Sequence, residues 1–244
     1  MSLSTDGTIV RTLPDQRSIV LAENVAPRGW YSYAPSRGLL AYGCDPANLC
    51  MWDVHRSMKL PISEHAGEIQ PSGIAFSPSG ARLALITTAG ALRVFDVTVP
   101  VGLTERSHMD TEQGIAVLFV DEDTIAVAGR ETLQIVRNNS LSRPLVIGEP
   151  YFWDASADGR SMVLGTIRGQ GNLVDLAHMN ITKRITLCHS SVSAAKFIPQ
   201  QAAVAYSCKE GTIGTWNLQT NETAPLVHLE GHADGLRGTL FPLL

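Results

Sequence analysis

Apolar residues in this chain gather in short runs closed by polar turns, and one such run recurs at an almost constant interval. It reads DGTIVRT at 6–12, NLCMWDV at 48–54, GALRVFDV at 90–97, TLQIVRN at 132–138, GNLVDLA at 171–177 and GTIGTWNL at 211–218. One slot in the run holds Thr12, Trp52, Phe95, Val136, Leu176 and Trp216, at steps of 40, 43, 41, 40 and 40 residues. The 28 residues after Trp216 and the first 12 of the chain together supply one further interval. The pattern is that of six units in a closed series, cut once.

Within a unit, β-branched and aromatic runs alternate with turns containing Gly or Pro, which is the signature of strands. In the best-formed unit, Gly73–Ser77 predicts a first strand, Arg82–Thr87 a second and Leu92–Val97 a third, with turns at 78–80 and 89–90. The first turn recurs at 35–38, 121–123, 157–159 and 199–201, and fourth strands are predicted over 59–62, 143–147, 183–187 and 225–229. No stretch sustains helical periodicity. A repeat of about 40 residues then fits four-stranded propeller blades and not a helical array. At the chain ends, Ser2–Thr5 predicts a second strand and Gly238–Phe241 a first strand. The expectation is an all-β fold, a β-propeller of about six four-stranded blades in a single domain over 1–244. One composite blade is closed by N- and C-terminal strands, which removes exposed sheet edges. The alternative is a piece of a longer propeller with seven or more blades.

Met51-Trp52-Asp53, Val94-Phe95-Asp96 and Thr215-Trp216-Asn217 resemble the Trp-Asp dipeptide of the WD-repeat family. Gly231-His232 resembles its Gly-His pair, and Ala75 to Gly80 its first strand and turn. The shared phase of these motifs along the chain is their specific part. The resemblance implies a hydrogen-bonded chain in each blade, from a His before strand one, through a strand-two Ser or Thr and a turn Asp, to the Trp of strand three. Such a chain satisfies polar groups that burial would otherwise leave unpaired. His65, His108, His189 and His232 stand before first strands at steps of 43, 81 and 43 residues. His65, His189, His232, Asp6, Ser207, Trp52 and Trp216 are accordingly expected to be structural. The match is partial: the unit with His189, Ser207 and Trp216 has Glu210 where Asp is expected, and the unit with His232 and Asp6 has Thr12 in the Trp slot. The units around Val136 and Leu176 lack the network and must rely on apolar packing.

The 244 residues are 44% hydrophobic and 17% charged, enough to bury a core. A net charge of −4 speaks against binding nucleic acid or anionic membranes by bulk electrostatics. No apolar run is long enough to span a bilayer, and MSLSTDGTIVRT lacks the basic and apolar regions of a secretory signal. Membrane insertion is therefore not expected, and the location is read as intracellular, cytoplasmic or nuclear. Cys44, Cys50, Cys188 and Cys208 form no C-x-x-C pair and fall in strands or at their ends. They are expected to be buried free thiols in a reducing compartment. Asn138, Asn180 and Asn221 head N-x-[ST] triplets just after third strands, which marks polar, exposed turns.

Candidate chemistry is sparse. GTIRGQG at 165–171 has no Lys and no following helix, so it reads as a turn and not a phosphate loop. Gly-x-Ser-x-Gly and His-Glu-x-x-His are absent. Cys188-His189 alone makes no ligand set, because a metal or catalytic centre needs further donors converging on it. Trp30 and Trp153 occupy matched first-strand positions and are expected to pack between blades. No catalytic residue, metal or cofactor is expected.

In the family, function sits on the face carrying the loops before strand one and the turns before strand three. The resemblance maps partner binding onto Glu64, Glu68, Asp110, Arg130, Glu131, Arg168, Lys209, Glu210, Asp234 and Arg237, with Glu23, Arg28, Arg106, Glu112 and Glu149 on the same face. Its mild acidic excess suggests a basic peptide as partner. The expected function is a non-enzymatic protein–protein interaction scaffold, a subunit or adaptor of a larger assembly binding other proteins or peptides. The alternatives are a ligand-binding or catalytic site in the central channel, and a regulatory part of a larger multidomain protein.

Overall fold

The computed structural model describes residues 2–3, 8–12, 17–22, 31–45, 48–60, 62, 71–98, 102–111 and 114–228. Among them there are strands and turns and no helix. The strands make six antiparallel sheets that follow one another along the chain. The first is three-stranded: β1 (Ser2–Leu3), β2 (Ile9–Thr12) and β3 (Ser18–Ala22). The second joins β4 (Tyr31–Ala34), β5 (Leu39–Asp45), β6 (Asn48–Asp53) and β7 (Met58–Leu60). The third joins β8 (Pro71–Phe76), β9 (Arg82–Thr87), β10 (Ala91–Thr98) and β11 (Gly102–Asp110).

The fourth sheet runs β12 (Ala116–Phe119), β13 (Thr124–Ala128), β14 (Thr132–Arg137) and β15 (Ser140–Leu141), with β16 (Leu145–Val146) also on β14. The fifth holds β17 (Pro150–Ala155), β18 (Ser161–Thr166), β19 (Gln170–Asp175) and β20 (Asn180–Thr186). The sixth holds β21 (Val192–Phe197), β22 (Ala203–Cys208), β23 (Thr212–Asn217) and β24 (Thr223–His228). Two compact units divide the chain, Met1–Gly129 with Ile135–Ser142, and Arg130–Gln134 with Arg143–Leu244.

Five of the recurring runs form the third strands β6, β10, β14, β19 and β23, the first forms β2 in the middle of the three-stranded sheet, and β9 falls on the residues expected of it. Two expectations change. The fourth strand expected over 143–147 is split into β15 and β16. Asn138 and Asn139 both take positive φ (49° and 57°), making a tight turn that starts β15 early. The Ser142 hydroxyl then accepts the Ile135 N–H at 2.9 Å where a ladder carbonyl would have stood, and Pro144 has no N–H to continue the ladder. His108 lies inside β11, opposite Arg93, and not in a loop before a first strand. The first strand expected over 238–241, and with it the composite blade, lies outside the described residues.

Alternation along the central strands feeds two separate cores. In β9 and β10, Leu83, Leu85, Phe95 and Val97 pack with Leu39, Ala41, Met51 and Leu60 of the preceding sheet. The intervening Ala84, Ile86, Leu92 and Val94 pack with Val117, Phe119, Ile125, Val127 and Val136 of the following one. Successive side chains point to opposite faces of a strand, so a sheet packed on both sides must be apolar at every central position. At three positions the recurring slot faces backward: Phe95, Val136 and Trp216 each pack on the sheet before their own, while Trp52 packs with residues of its own sheet. Trp216 is fully buried against Val163, Leu173 and Ile185. Its truncation to Ala removes roughly 3–5 kcal/mol of packing.

Polar straps join consecutive sheets at one end. The Ser32 hydroxyl accepts the Phe76 N–H at 3.0 Å, and the Asp154 carboxylate accepts the equivalent Phe197 N–H at 3.0 Å and the Lys196 ammonium at 2.9 Å. Arg37 donates to Gly80 O and Val97 O at 3.0 and 2.9 Å. Glu122 accepts from Ser79 N–H and Oγ at 2.5 and 3.0 Å, while Arg82 reaches Glu122 O and Asp123. Ser32 and Asp154 hold the same first-strand slot in their sheets, so one backbone donor is served by two different chemistries.

Two tests follow from these contacts. Asp154→Ala strands a backbone N–H and an ammonium together, and is expected to cost about 2–4 kcal/mol in urea unfolding, against about 1 kcal/mol for Ser32→Ala. Equal effects would refute the strap. Asp158, in the turn between β17 and β18, accepts from Ser156 Oγ at 2.6 Å and Arg160 N–H at 3.1 Å, and these bonds hold its carboxyl below the usual carboxylate range. A lowered folded-state pKa gives stability that is present above the unfolded value and lost as pH falls through the folded one. Carboxyl NMR titration should place Asp158 below ordinary aspartates, and Asp158→Asn should flatten the acid limb of stability.

Candidate functional site

The turns before third strands and the segments before first strands lie at the other end of the sheets from the straps. Arg130 and Glu131 occupy the exposed turn between β13 and β14, where Glu131 O takes the Ile147 N–H at 2.8 Å. Arg168 sits in the turn between β18 and β19 with its side chain 83% exposed, its Nε 3.9 Å from Glu149 Oε2. Lys209 is exposed beside Glu210 in the turn between β22 and β23, its N–H on Ser191 O at 3.0 Å. Asp110 ends β11 fully in solvent, 3.9 Å from the His108 ring. Arg106 departs from expectation: it lies along β11, 3.4 Å from Asp96 of β10. Glu64, Glu68, Asp234, Arg237, His65, His232 and Asp6 lie outside the described residues, as do Glu23, Arg28, Glu112 and Trp30.

Among the described residues, Arg130, Glu131 and Lys209 have no side-chain partner. In the second compact unit this face carries Glu131, Glu149 and Glu210 against Arg130, Arg168 and Lys209, a balanced set. The acidic excess read from the sequence rests on positions outside the described ones. Sequence reading missed Tyr151 and Ile167, which are 45% and 44% exposed. Tyr151 falls in the bulge between Pro150 and Phe152, and Ile167 N–H donates to Glu149 O at 3.2 Å, so the two segments lie opposite each other. The available signal was an isoleucine in a turn where the other units place polar residues or glycine.

The hydrogen-bonded chain expected through His189, Ser207 and Trp216 is absent among the described residues. Trp216 Nε1 donates instead to Asn221 Oδ1 at 3.1 Å, because Asn221, at φ 62°, swings its carboxamide back over the turn after β23. Glu210 reaches the backbone: its carboxylate accepts the His189 N–H at 2.9 Å and the Ser190 hydroxyl. Burial pushes the Glu210 carboxyl up, but the Ser190 hydroxyl and nearby N–H groups outweigh it and hold the carboxyl below its ordinary range. Ser207 is buried in β22, and Trp52 Nε1 is buried with no partner among the described residues.

The cysteines are a second correction. All four are paired, Cys44 with Cys50 and Cys188 with Cys208, each with Cα atoms 5.6 Å apart, inside the usual disulfide range. Cys44 and Cys50 flank the turn between β5 and β6. For the other pair, Val192 stands opposite Cys208, while Leu187 and Cys188 N–H both bind Gly169 O and fold the loop back onto β22. Spacing alone hid both pairs, since they join neighbouring strand ends and not a short motif.

One hollow of about 620 Å³ is lined by Ile185, Thr215, Asn217, Asn221, Glu222, Thr223 and Ala224. It lies around the turn after β23, at the other end of that strand from Lys209 and Glu210. Its only titratable lining group is Glu222, so it assembles no acid–base or nucleophilic set.

No family model matches the sequence, and no curated protein sequence matches it. Solved structures do. The chain is similar to the Cps50 (Swd1) β-propeller domain of Myceliophteria thermophila, with TM-score 0.66 and 11% identity over 83% of this chain and 70% of that one. It is also similar to a chain in a crystal structure of a mitotic checkpoint complex, with TM-score 0.67 and 15% identity over 80% of this chain and 61% of that one. At these identities the likeness establishes the fold alone, a β-propeller, and six successive sheets suit about six blades.

The Trp216 contact gives a clear test. Asn221→Ala leaves a buried indole N–H unpaired and is expected to cost about 1–3 kcal/mol in thermal or urea unfolding monitored by fluorescence. His189→Ala should cost almost nothing. The reverse order would restore the family's network.

Proposed function

We propose that residues 1–244 form one WD-repeat-like propeller that serves as a non-enzymatic, intracellular platform for protein partners, docking them on the face that holds Arg130, Glu131, Tyr151, Ile167, Arg168 and Lys209. The supporting observation is an asymmetry between the two ends of the sheets. At one end, Arg37, Arg82, Glu122 and Asp154 spend their charges on neighbouring sheets. At the other, Arg130, Glu131 and Lys209 face solvent, as do a half-exposed tyrosine and isoleucine of the same compact unit. Exposed Tyr and Arg on rigid turns are the residue types that dominate binding energy at protein interfaces. The likeness to propellers, one of them crystallised within a mitotic checkpoint complex, supports a role of this class and no particular partner. The balanced charge fits a mixed polar and aromatic interface better than the basic peptide suggested by the sequence.

The test is affinity purification of the full chain beside a Tyr151→Ala, Arg168→Glu variant of unchanged melting temperature. A partner bound directly by the wild type should lose roughly 30-fold or more in affinity to the double variant, the scale of a hot-spot loss. Undiminished binding by the variant, or turnover of a small substrate by the chain alone, overturns the reading.

A further inference from the structure

The Cys188–Cys208 pair stands beside a carboxylate. One ligand atom from each of Cys188, Cys208 and Glu210 falls within 4.8 Å of the other two. We propose that this cluster is a redox-gated site for a divalent metal of the zinc class: closed as a disulfide, and opened as a two-thiolate, one-carboxylate site when the pair is reduced.

The donor set has the right chemistry, since thiolate and carboxylate oxygens are both zinc ligands and three protein ligands leave the fourth place to water. The geometry is set by backbone. Register places Val192 opposite Cys208, and the 187–191 loop is pinned by Gly169 O on one side and by the Lys209 N–H to Ser191 O bond on the other. Breaking the S–S bond leaves the two backbone segments held beside each other, and rotation of the cysteine side chains lets the sulfurs separate to the spacing a metal needs. Glu210 is already oriented, Oε1 by the His189 N–H and Oε2 by the Ser190 hydroxyl. Each carboxylate oxygen keeps a lone pair for a metal, and such supporting bonds are what fix ligand orientation.

The chemistry balances with a dithiol reductant. The Cys188–Cys208 bond breaks, the pair takes two electrons and two protons, and the dithiol closes to its own disulfide. Metal binding then displaces the two thiol protons as the thiolates coordinate. The disulfide and the metal compete for the same sulfurs, so occupancy reports the redox state of the surroundings.

The experiment uses the full chain, oxidised or reduced under argon with excess phosphine that is then removed, and titrated with Zn²⁺ and Co²⁺. The expected result is one metal per reduced chain by elemental analysis, a near-ultraviolet thiolate-to-Co²⁺ band, and neither in the oxidised chain. Cys188→Ser and Cys208→Ser should abolish both signals, and the Cys44→Ser, Cys50→Ser double variant should keep them. Glu210→Gln should weaken binding by roughly 10–100-fold. Should a cysteine variant fail to fold, the reduced wild type still decides: no stoichiometric metal, or no thiolate band with Co²⁺, overturns the proposal. Equal binding by the oxidised chain overturns it as well.

Discussion

A sheet packed on both faces has no side to leave polar, and most of this chain's character follows from that. In β9, alternate residues enter two different cores, and the whole run from Leu83 to Ile86 is inaccessible to solvent. The same demand keeps charged residues out of β13 and out of the centre of β9. Outer strands show the contrast: β20 alternates exposed and half-buried positions along its length, as expected where only one face is covered. It also explains the recurring Trp slot. At Phe95, Val136 and Trp216 that slot faces the preceding sheet, so a large side chain there sets how closely two sheets approach.

The legible part of the fold was the part under this two-sided constraint. Second strands such as β9 and β13 are apolar through their centres, and the spacing of the third strands survives even where Val136 or Leu176 stands in the Trp slot. Fourth strands are less constrained, so the break between β15 and β16 left only Pro144 and an Asn pair as its trace. Side-chain networks were least legible. Whether Trp216 bonds Ser207 or Asn221 depends on a left-handed turn residue five places after Trp216, and propensity does not encode that choice. The cysteines failed for a related reason: their pairing depends on which strand ends meet, a property of register and not of spacing.

The straps show how the repeat tolerates this drift. The donor, a backbone N–H at the end of a first strand, is fixed by the fold, while the acceptor from the preceding sheet varies. Ser32 and Asp154 both fill the role, and where Ala75 stands in the same slot, Glu122 and Arg82 hold the adjoining turns together instead. Leaving a buried N–H unpaired is costly, and Ser32 and Asp154 both meet that cost, one with a hydroxyl and the other with a carboxylate. At that end Arg37, Arg82, Glu122 and Asp154 are used in bonds to neighbouring sheets. Charge at the opposite end is left for solvent or for a partner.

The 187–191 loop is the exception at that opposite end, and its over-determination is informative. It is held by Gly169 O, by Glu210 and by a bond to Cys208, and Gly169 itself sits at φ 76°, where a Cβ would collide with Cys188 O. A loop that only joined two strands would need none of these. Glu in place of the family's Asp gains one methylene, enough to cross from the β22–β23 turn to the His189 and Ser190 backbone. The same substitution sets a carboxylate beside the two sulfurs. The residue that departs from the WD-repeat pattern thus does two things at once: it fixes the loop that frames Arg168 and Lys209, and it completes the only cluster of mixed sulfur and oxygen donors among the described residues.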